Sequence, residues 1–344
     1  MDNRGTPIRV RSLMTHLANN PNIDLTVFSW DKQASIFKKH VHLDNNHLRD
    51  LRILREYIRK NSIQVIIGHT VATSYYLVPL KFLTKAKTVL EMHGLSEDEA
   101  RAYKDISIFK YWVFKIWHAF FYFTCDLITT CSDSVTKIVG RFNSNSISLC
   151  GGVDLDSFRP NAPSGHLFKK DSRITVGYAG NSRQWQGVDF LVKSFTELIK
   201  KDSNYRLVLL MSETKDLNTN GLEIVGPVQS EEVPGFLIDC DILVIPRPLN
   251  DVTRISYPSK LTEYLAMGKA VVVSNVGDMD TVVRPNVNGL IYNAGNQSEF
   301  IANLLSLKDS TKRQKLGIEA RKTAENMSWN TLTEILVEKL KKIV

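Results

Sequence analysis

The sequence predicts an α/β protein built from two parallel-sheet domains in tandem, and three observations carry that prediction. Short, wholly apolar runs such as VIIG (65–68) and VLEM (89–92) alternate with amphipathic stretches of helical length. A strand that is apolar on both sides is one buried on both faces, as a parallel sheet flanked by helices requires. The alternation halts at the Pro-, Gly- and charge-rich stretch FRPNAPSGHLFKKDSR (158–173) and then restarts. Finally, 344 residues that are 43% hydrophobic exceed what a single core usually holds.

The elements follow in order. In MDNRGTPIRVRSLMTHLANN a glycine-containing loop (Arg4, Gly5, Thr6) precedes apolar residues at Val10, Leu13 and Leu17, a spacing that predicts a helix over 8–19. A β-rich run at 23–30 predicts a strand. The pattern places no strand before the loop, so the first strand of the N-terminal sheet is expected to be missing. Next come helix 48–61, strand 64–69, helix 72–83, strand 88–93, an aromatic insert, strand 127–130, a short helix from Ser132 and strand 146–150. The second half gives strand 174–179, helix 188–200, strands 205–211 and 223–225, helix 233–238 and strand 242–245. It continues with helix 259–267, which Gly268 stops, strands 270–274 and 289–291, and helices 297–307, 311–326 and 329–343. The expected domains are 1–165 and 166–328, with 329–344 a helix crossing back to the first. A ligand crevice is expected between them, outside the carboxyl ends of the strands.

The formal charge of +8 is one-sided. Residues 1–170 hold 23 Lys and Arg against 15 Asp and Glu, whereas the rest balances at 21 against 21. No aromatic-basic recognition module accompanies the surplus, so nucleic acid is not the expected partner; an anionic membrane surface or a phosphorylated ligand fits such a field. The four cysteines, Cys125, Cys131, Cys150 and Cys240, lack metal-ligand spacing, and no secretory leader stands at the start. Scattered thiols fit a reducing, cytoplasmic setting.

The insert YKDISIFKYWVFKIWHAFFYFTCD has the most unusual composition. Over 106–123 it is too short and too interrupted by Lys110, Lys115 and His118 for a membrane span. On a helical wheel those three share one side with Tyr111 and Tyr122, while Phe109, Trp112, Val113, Ile116, Phe120 and Phe123 share the other. Such a stripe fits core packing across the sheet or an interfacial helix lying on the cytoplasmic membrane face.

Three places carry candidate chemistry. His93 and Gly94 end a strand where it gives way to a loop; the histidine can donate to a sugar hydroxyl or phosphate, and Glu91 is expected to point elsewhere and not to share the role. Gly5 and Thr6 precede a helix whose N-terminus can hold an anion or an acceptor hydroxyl. In the second half, YAGNSRQWQG sets Gly180, Asn181, Ser182, Arg183 and Gln186 in the loop after the first strand; it is neither GxGxxG nor GxxxxGK[ST]. In YPSKLTEYLAMG, Pro258 and Ser259 open a helix that carries Lys260 in its first turn, where the helix dipole disfavours a cation unless an anion is present. Glu263, one turn later, can accept two hydrogen bonds from a ribose diol. The pairs Asp154/Asp156 and Asp278/Asp280 lack convergent partners, so no metal site is expected.

These features resemble, in order and over nearly the whole chain, the retaining, nucleotide-sugar-dependent glycosyltransferases of group 1, or family 4, which have the GT-B architecture of two Rossmann-like domains facing across a cleft. The matching pieces are RGTP, HG at 93–94, TTCSDSV, GGVDLDSFRP, YAGNSRQWQG, IVGPV, DILVIPR, YPSKLTEYLAMGKAVVVSNVG and NGLIY. The resemblance implies metal-independent transfer of a hexose-like sugar from a nucleotide-diphosphate donor, a co-substrate rather than a cofactor, to a glycan, lipid-linked or small-molecule acceptor. It gives Glu263 the ribose hydroxyls, Pro258, Ser259, Lys260 and Leu261 the diphosphate, His93 the transferred sugar, and Gly5 and Thr6 the donor and acceptor. The family's second-domain loop has an arginine and a lysine where this chain has Asn181 and Gln186, and Arg183 and Lys260 are candidates to replace that charge. An acidic residue is usual eight positions before Glu263; here it is Ile255. A nucleotide-sugar epimerase of the same architecture and a non-catalytic sugar-nucleotide binder remain as alternatives.

Overall fold

The computed structural model describes residues 5–30, 37–95, 106–211 and 220–344. Arg4 lies outside these. The chain divides into two compact units, one running to Cys150 and taking in Trp329–Val344, the other Gly151–Ser328.

The first unit contains α1 (Gly5–Ala18), β1 (Val27–Ser29), β2 (His40–His42), α2 (His47–Lys60), β3 (Val65–His69), α3 (Ser74–Leu83), β4 (Lys87–Met92), α4 (Ile108–Thr124), β5 (Leu127–Thr130), α5 (Asp133–Val139) and β6 (Ser146–Ser148). Strands β3-β4-β5-β6 form one parallel sheet in sequence order, and β1 pairs β2 in a separate two-stranded parallel sheet. Side chains that compete with the backbone open the helices: Asn46 accepts from Arg49 N–H at α2, Ser107 from Lys110 N–H at α4, and Ser132 from Val135 N–H at α5.

The second unit contains β7 (Ile174–Gly180), α6 (Val188–Lys201), β8 (Tyr205–Met211), β9 (Leu222–Val225), α7 (Val233–Asp239), β10 (Ile242–Ile245), α8 (Ser259–Ala266), β11 (Ala270–Ser274), α9 (Met279–Val282), β12 (Leu290–Tyr292), α10 (Gln297–Ser306) and α11 (Ser310–Glu325). Its six strands lie in the order β12-β11-β10-β7-β8-β9 and pair in parallel throughout. One apolar cluster fills the side of α7, α8 and α11, including Phe236, Leu261, Leu265 and Ala320; another fills the side of α6 and α10, including Leu191, Phe195 and Phe300. The last helix, α12 (Trp329–Ile343), belongs to the first unit. It buries Trp329, Leu332, Leu336 and Leu340 in a cluster with Leu13, Leu17, Val89 and Leu127.

Three expectations change, and the choice left open for the aromatic helix is decided. The boundary falls at 150/151 instead of 165/166, because residues 151–165 are tied into the second unit. Gly152 N–H donates to Met327 O, Val153 bridges Ser328, Arg321 donates to Phe158 O, and Gly165 N–H donates to Gly235 O. Gly5 and Thr6, placed in a loop by the sequence, form the first turn of α1. The strand expected over 23–30 is only three residues long and is partnered by β2, a strand the sequence did not suggest. Finally, α4 turns its His118, Phe121 and Tyr122 side inward and leaves the aromatic stripe outside, with Phe109, Ile116 and Phe123 exposed by 75%, 70% and 73%. Polar anchors explain the orientation: Trp117 Nε1 donates to Ser74 Oγ at 2.9 Å, and Trp117 stacks on Tyr75 of α3. Among the described residues no helix is long and apolar enough to cross a membrane.

The turn from β7 into α6 depends on Gly187, whose φ of +76° is left-handed and whose Cβ position would collide with the carbonyl of Pro246. Gly187→Ala is expected to destabilise the protein by about 1–3 kcal/mol, as read by denaturant unfolding.

Candidate functional site

In the second unit the strand order reverses between β7 and β10. From β7 the chain proceeds outward through β8 and β9, then returns to the other side of β7 for β10, β11 and β12. The loops leaving the carboxyl ends of β7 and β10 therefore diverge, and such a switch point is where open parallel sheets hold ligands. The loop after β7 carries Gly180, Asn181, Arg183 and Gln186. Arg247 follows β10, and α8 brings Lys260 and Glu263. Tyr264 fixes α8 against the end of β7: its hydroxyl accepts from Ala179 N–H at 2.8 Å and lies 3.3 Å from Ala179 O, to which it donates.

Lys260 is the centre of this arrangement. Its Nζ donates to Gln186 Oε1 at 3.0 Å and to the Tyr178 hydroxyl at 3.1 Å, and stands 4.3 Å from the centroid of the Tyr178 ring. Gly180 makes room, since a Cβ there would strike both Lys260 Nζ and the Tyr178 hydroxyl. Burial, reinforced by the nearby charge of Arg247 and opposed by that of Glu263, pulls Lys260 down to about 7. Arg247 is 6% exposed and donates to Ser256 Oγ at 2.9 Å. Burial pushes Glu263 up to about 7, against the pull of Lys260, and its carboxylate accepts no hydrogen bond from the described residues. Two cations and a carboxylate without donors thus face one switch point.

The other sequence-predicted residues divide. Gln186 holds Lys260 as a neutral acceptor. Asn181 shapes the loop, its Oδ1 accepting from Arg183 N–H and its carbonyl from the Tyr178 hydroxyl. Arg183 is exposed and lies over the Trp185 ring at 5.0 Å, not among the partners of Lys260. The cation whose charge acts on Lys260 is Arg247, which the sequence reading missed although PR in DILVIPR stands directly after a strand at the switch point. Leu261 is a core residue whose side chain is fully buried and whose N–H donates to Pro258 O, so it offers a ligand nothing. Pro258 is buried, Ser259 exposed at the first position of α8, and Ile255 ends a short turn packed against Gly277. Asp154 ties its own turn through Asp156 N–H and Ser157 Oγ.

In the first unit His93 belongs to a larger cluster. Glu91 does not point elsewhere: residues two apart along a strand lie on one face, and Glu91 and His93 share a side at the end of β4. Glu91, 1% exposed, accepts from Arg9 Nε at 3.1 Å, lies 2.5 Å from His69 Nδ1 and is 3.9 Å from His93 Nε2. Arg9 also donates to Leu149 O at 2.8 Å and covers the Trp329 ring at 5.4 Å, joining α1, β6 and α12. Burial alone would raise Glu91, but the hydrogen bond with His69 and the charges of His69, Arg9 and His93 hold it at about 2. Burial, with help from Arg9 and His69, lowers His93 to about 4 despite Glu91, so its imidazole is neutral at pH 7. Its Nε2 has no hydrogen-bond partner among the described residues. His69, Glu91 and His93 set three ligand-type atoms within 4.8 Å of one another. A metal ion there would confront the guanidinium that already neutralises the carboxylate, so the set serves better as an ion-pair hub.

Residues 173–310 match the family described as Glycosyl transferases group 1. Over most of its length the second unit is similar to that family. The chain as a whole has the GT-B fold: it superposes on a glycosyltransferase from Rickettsia africae with a TM-score of 0.77, covering 97% of this chain and 94% of that one at 16% identity. The Anabaena protein HepE, solved with UDP and glucose, gives a TM-score of 0.75 over 98% of this chain and 96% of that one at 14% identity. Among curated proteins, a D-inositol 3-phosphate glycosyltransferase of Geodermatophilus obscurus is 23% identical over 61% of this chain and 51% of its own length. An uncharacterised glycosyltransferase of Methanocaldococcus jannaschii is 24% identical over 42% of this chain and 41% of its own. The match thus spans about half the length of these relatives, or less.

The Glu91 hub of this GT-B chain has a pH signature. A carboxylate lowered from 4.5 to about 2 contributes stability that is fully present above pH 4.5 and lost as pH falls through about 2. Glu91→Gln should flatten that acid limb and cost about 3–5 kcal/mol at neutral pH by leaving Arg9 buried without its counter-charge; thermal unfolding across pH checks both.

Proposed function

We propose that the protein is a retaining glycosyltransferase that moves a sugar from a nucleotide-diphosphate donor to a glycan, lipid-linked or small-molecule acceptor. The observation that carries this reading is the switch point of the second unit, where half-buried Lys260 lies between the charges of buried Arg247 and of Glu263, a carboxylate that accepts no hydrogen bond from the described residues. Two like charges out of bulk water are costly to hold together, and a bound diphosphate relieves that cost. Glu263 accepts the ribose hydroxyls. As the glycosidic bond to the donor breaks, charge grows on the leaving diphosphate, and Lys260, Arg247 and the first amides of α8 stabilise it in place. His93, neutral at pH 7, is the first unit's candidate to hydrogen-bond the transferred sugar. Ile255 favours a second reading, a sugar-nucleotide binder without turnover, because it leaves the donor sugar without the usual carboxylate.

We also propose that α4 rests on an anionic membrane surface. Its outward stripe of Phe109, Trp112, Ile116, Phe120 and Phe123 is apolar, and the basic surplus of 1–170 complements acidic headgroups. A lipid-linked acceptor would then lie close to the surface on which the enzyme sits.

Both readings have direct tests. Diphosphate binding favours protonated Lys260, so affinity for a nucleoside diphosphate should fall as pH rises above about 7; ribose binding favours ionised Glu263, so affinity should also fall as pH drops below about 7. Lys260→Met should abolish the alkaline limb and Glu263→Gln the acid limb, each weakening binding by about tenfold or more in calorimetry with UDP, GDP and ADP. Release of nucleoside diphosphate from a donor panel with lipid-extract acceptors supports transfer. Epimerisation without release would mark an isomerase, and binding without turnover the non-catalytic relative. For α4, flotation with phosphatidylglycerol vesicles should decrease about tenfold or more in the Phe109→Ser, Trp112→Ser, Ile116→Ser triple variant; unchanged flotation would refute the membrane role.

A further inference from the structure

A row of aromatic rings runs along the outside of the first unit, in the order Trp30, Tyr76, His47, Tyr75, Trp117 and Phe120. Successive ring centroids are 5.7, 4.7, 6.2, 5.9 and 6.1 Å apart. Trp30 is 44% exposed, Tyr75 48% and Phe120 47%, and His47 is exposed as well. The row is anchored from beneath. Asp50 of α2, fully buried, accepts from Trp30 Nε1 at 3.0 Å and from Asp44 N–H at 3.2 Å. Burial and this same carboxylate push the Tyr76 phenol above its usual range, so it stays protonated. Ser74, equally buried, accepts from Trp117 Nε1 at 2.9 Å. Each indole therefore points its one N–H into the protein and leaves ring carbons for the surface.

Trp30 follows β1, His47 opens α2 after β2, and Tyr75 and Tyr76 lie in the first turn of α3, which follows β3. These are the carboxyl ends of parallel strands, the edge at which such sheets hold ligands and at which His69 and His93 also stand. Trp117 and Phe120 continue the row onto α4. The charges beside the Trp30 to Tyr75 end cancel: Arg49 pairs Asp44 at 2.9 Å, and Asp50 is buried beneath its donors. A nucleic acid or an anionic bilayer meets no attracting field at this end, and hydrocarbon would cover His47, Asp44 and Arg49 at a cost. A sugar chain suits both kinds of surface. Its C–H faces meet the electron-rich ring faces, and its hydroxyls meet the imidazole, phenol, carboxylate and guanidinium beside them. We propose that this row binds a neutral glycan of several sugar residues and that the acceptor is such a chain, held along the row while its terminal hydroxyl reaches the carboxyl edge. That the surface takes saccharide stands on the rings and their anchors; that the saccharide is the acceptor rests on the glycosyltransferase reading.

The test probes an array of neutral oligosaccharides, disaccharides through octasaccharides with α and β linkages, with the full chain. The expected result is binding that strengthens with chain length and changes tryptophan fluorescence. The Trp30→Gln, Tyr75→Ala double variant, whose glutamine keeps a donor for Asp50, should bind about tenfold or more weakly, with nucleoside-diphosphate affinity unchanged as the measure of an intact second unit. If that variant does not fold, Tyr75→Ala with Phe120→Ala provides the same comparison. Absence of binding across the array, or equal binding by the variants, overturns the proposal. So does a variant that keeps oligosaccharide binding and loses flotation with phosphatidylglycerol vesicles, which would make the rings part of a membrane surface. Oligosaccharide binding that the variants weaken, in a protein that releases nucleoside diphosphate from no donor, would keep the surface and remove the transferase reading. Release with an oligosaccharide acceptor whose KM the variants leave unchanged would do the reverse.

Discussion

A lysine ammonium held away from bulk water by a tyrosine ring and a glutamine carbonyl constrains most of the second unit. To place Lys260 there, Gly180 must lack a side chain, Tyr178 must be buried with its hydroxyl turned toward the loop, and α8 must be pinned by Tyr264 to the end of β7. Arg247 adds a second cation from the neighbouring strand. Both pushes act on the same proton: burial and like charge each favour neutral lysine, and only an incoming anion reverses them. The arrangement therefore carries electrostatic cost, set by burial and by Arg247.

The same logic explains one of the departures from the usual family pattern. A lysine at position 186 would repel Lys260, whereas the Gln186 that stands there accepts its hydrogen bond. The cations that act on one another here stand in the first turn of α8 and at the end of β10, not in the loop after β7. The pairing lies between elements far apart in sequence, whereas Arg183, close in sequence to Gln186, rests on Trp185.

Much of the architecture was legible beforehand, because apolar runs and helical spacing report local burial directly. Strands such as β5, β8, β10 and β11 begin and end where the pattern places them. The meeting of Glu91 with His93 was legible but misjudged, since residues two apart in a strand share a face. What was not legible depended on where chains end or which face turns inward. The orientation of α4 was decided by the hydrogen bond from Trp117 to Ser74, since both of its faces carry enough aromatic surface to pack. The domain boundary moved because GGVDLDSFRP bonds forward to residues 321–328, a pairing without any sequence periodicity.

The passage of the chain at 150/151 and again at 328/329 makes the two units unequal as objects for dissection. Gly151–Ser328 is one uninterrupted stretch, and a gene fragment spanning it keeps all six strands and their flanking helices. The other unit has no such fragment: a cut after Cys150 removes Trp329 from beneath Arg9 and strips Leu332, Leu336 and Leu340 from the core around Leu13 and Leu17. Truncation from the carboxyl end, ordinarily taken to probe the nearest domain, would here damage the one that begins the chain.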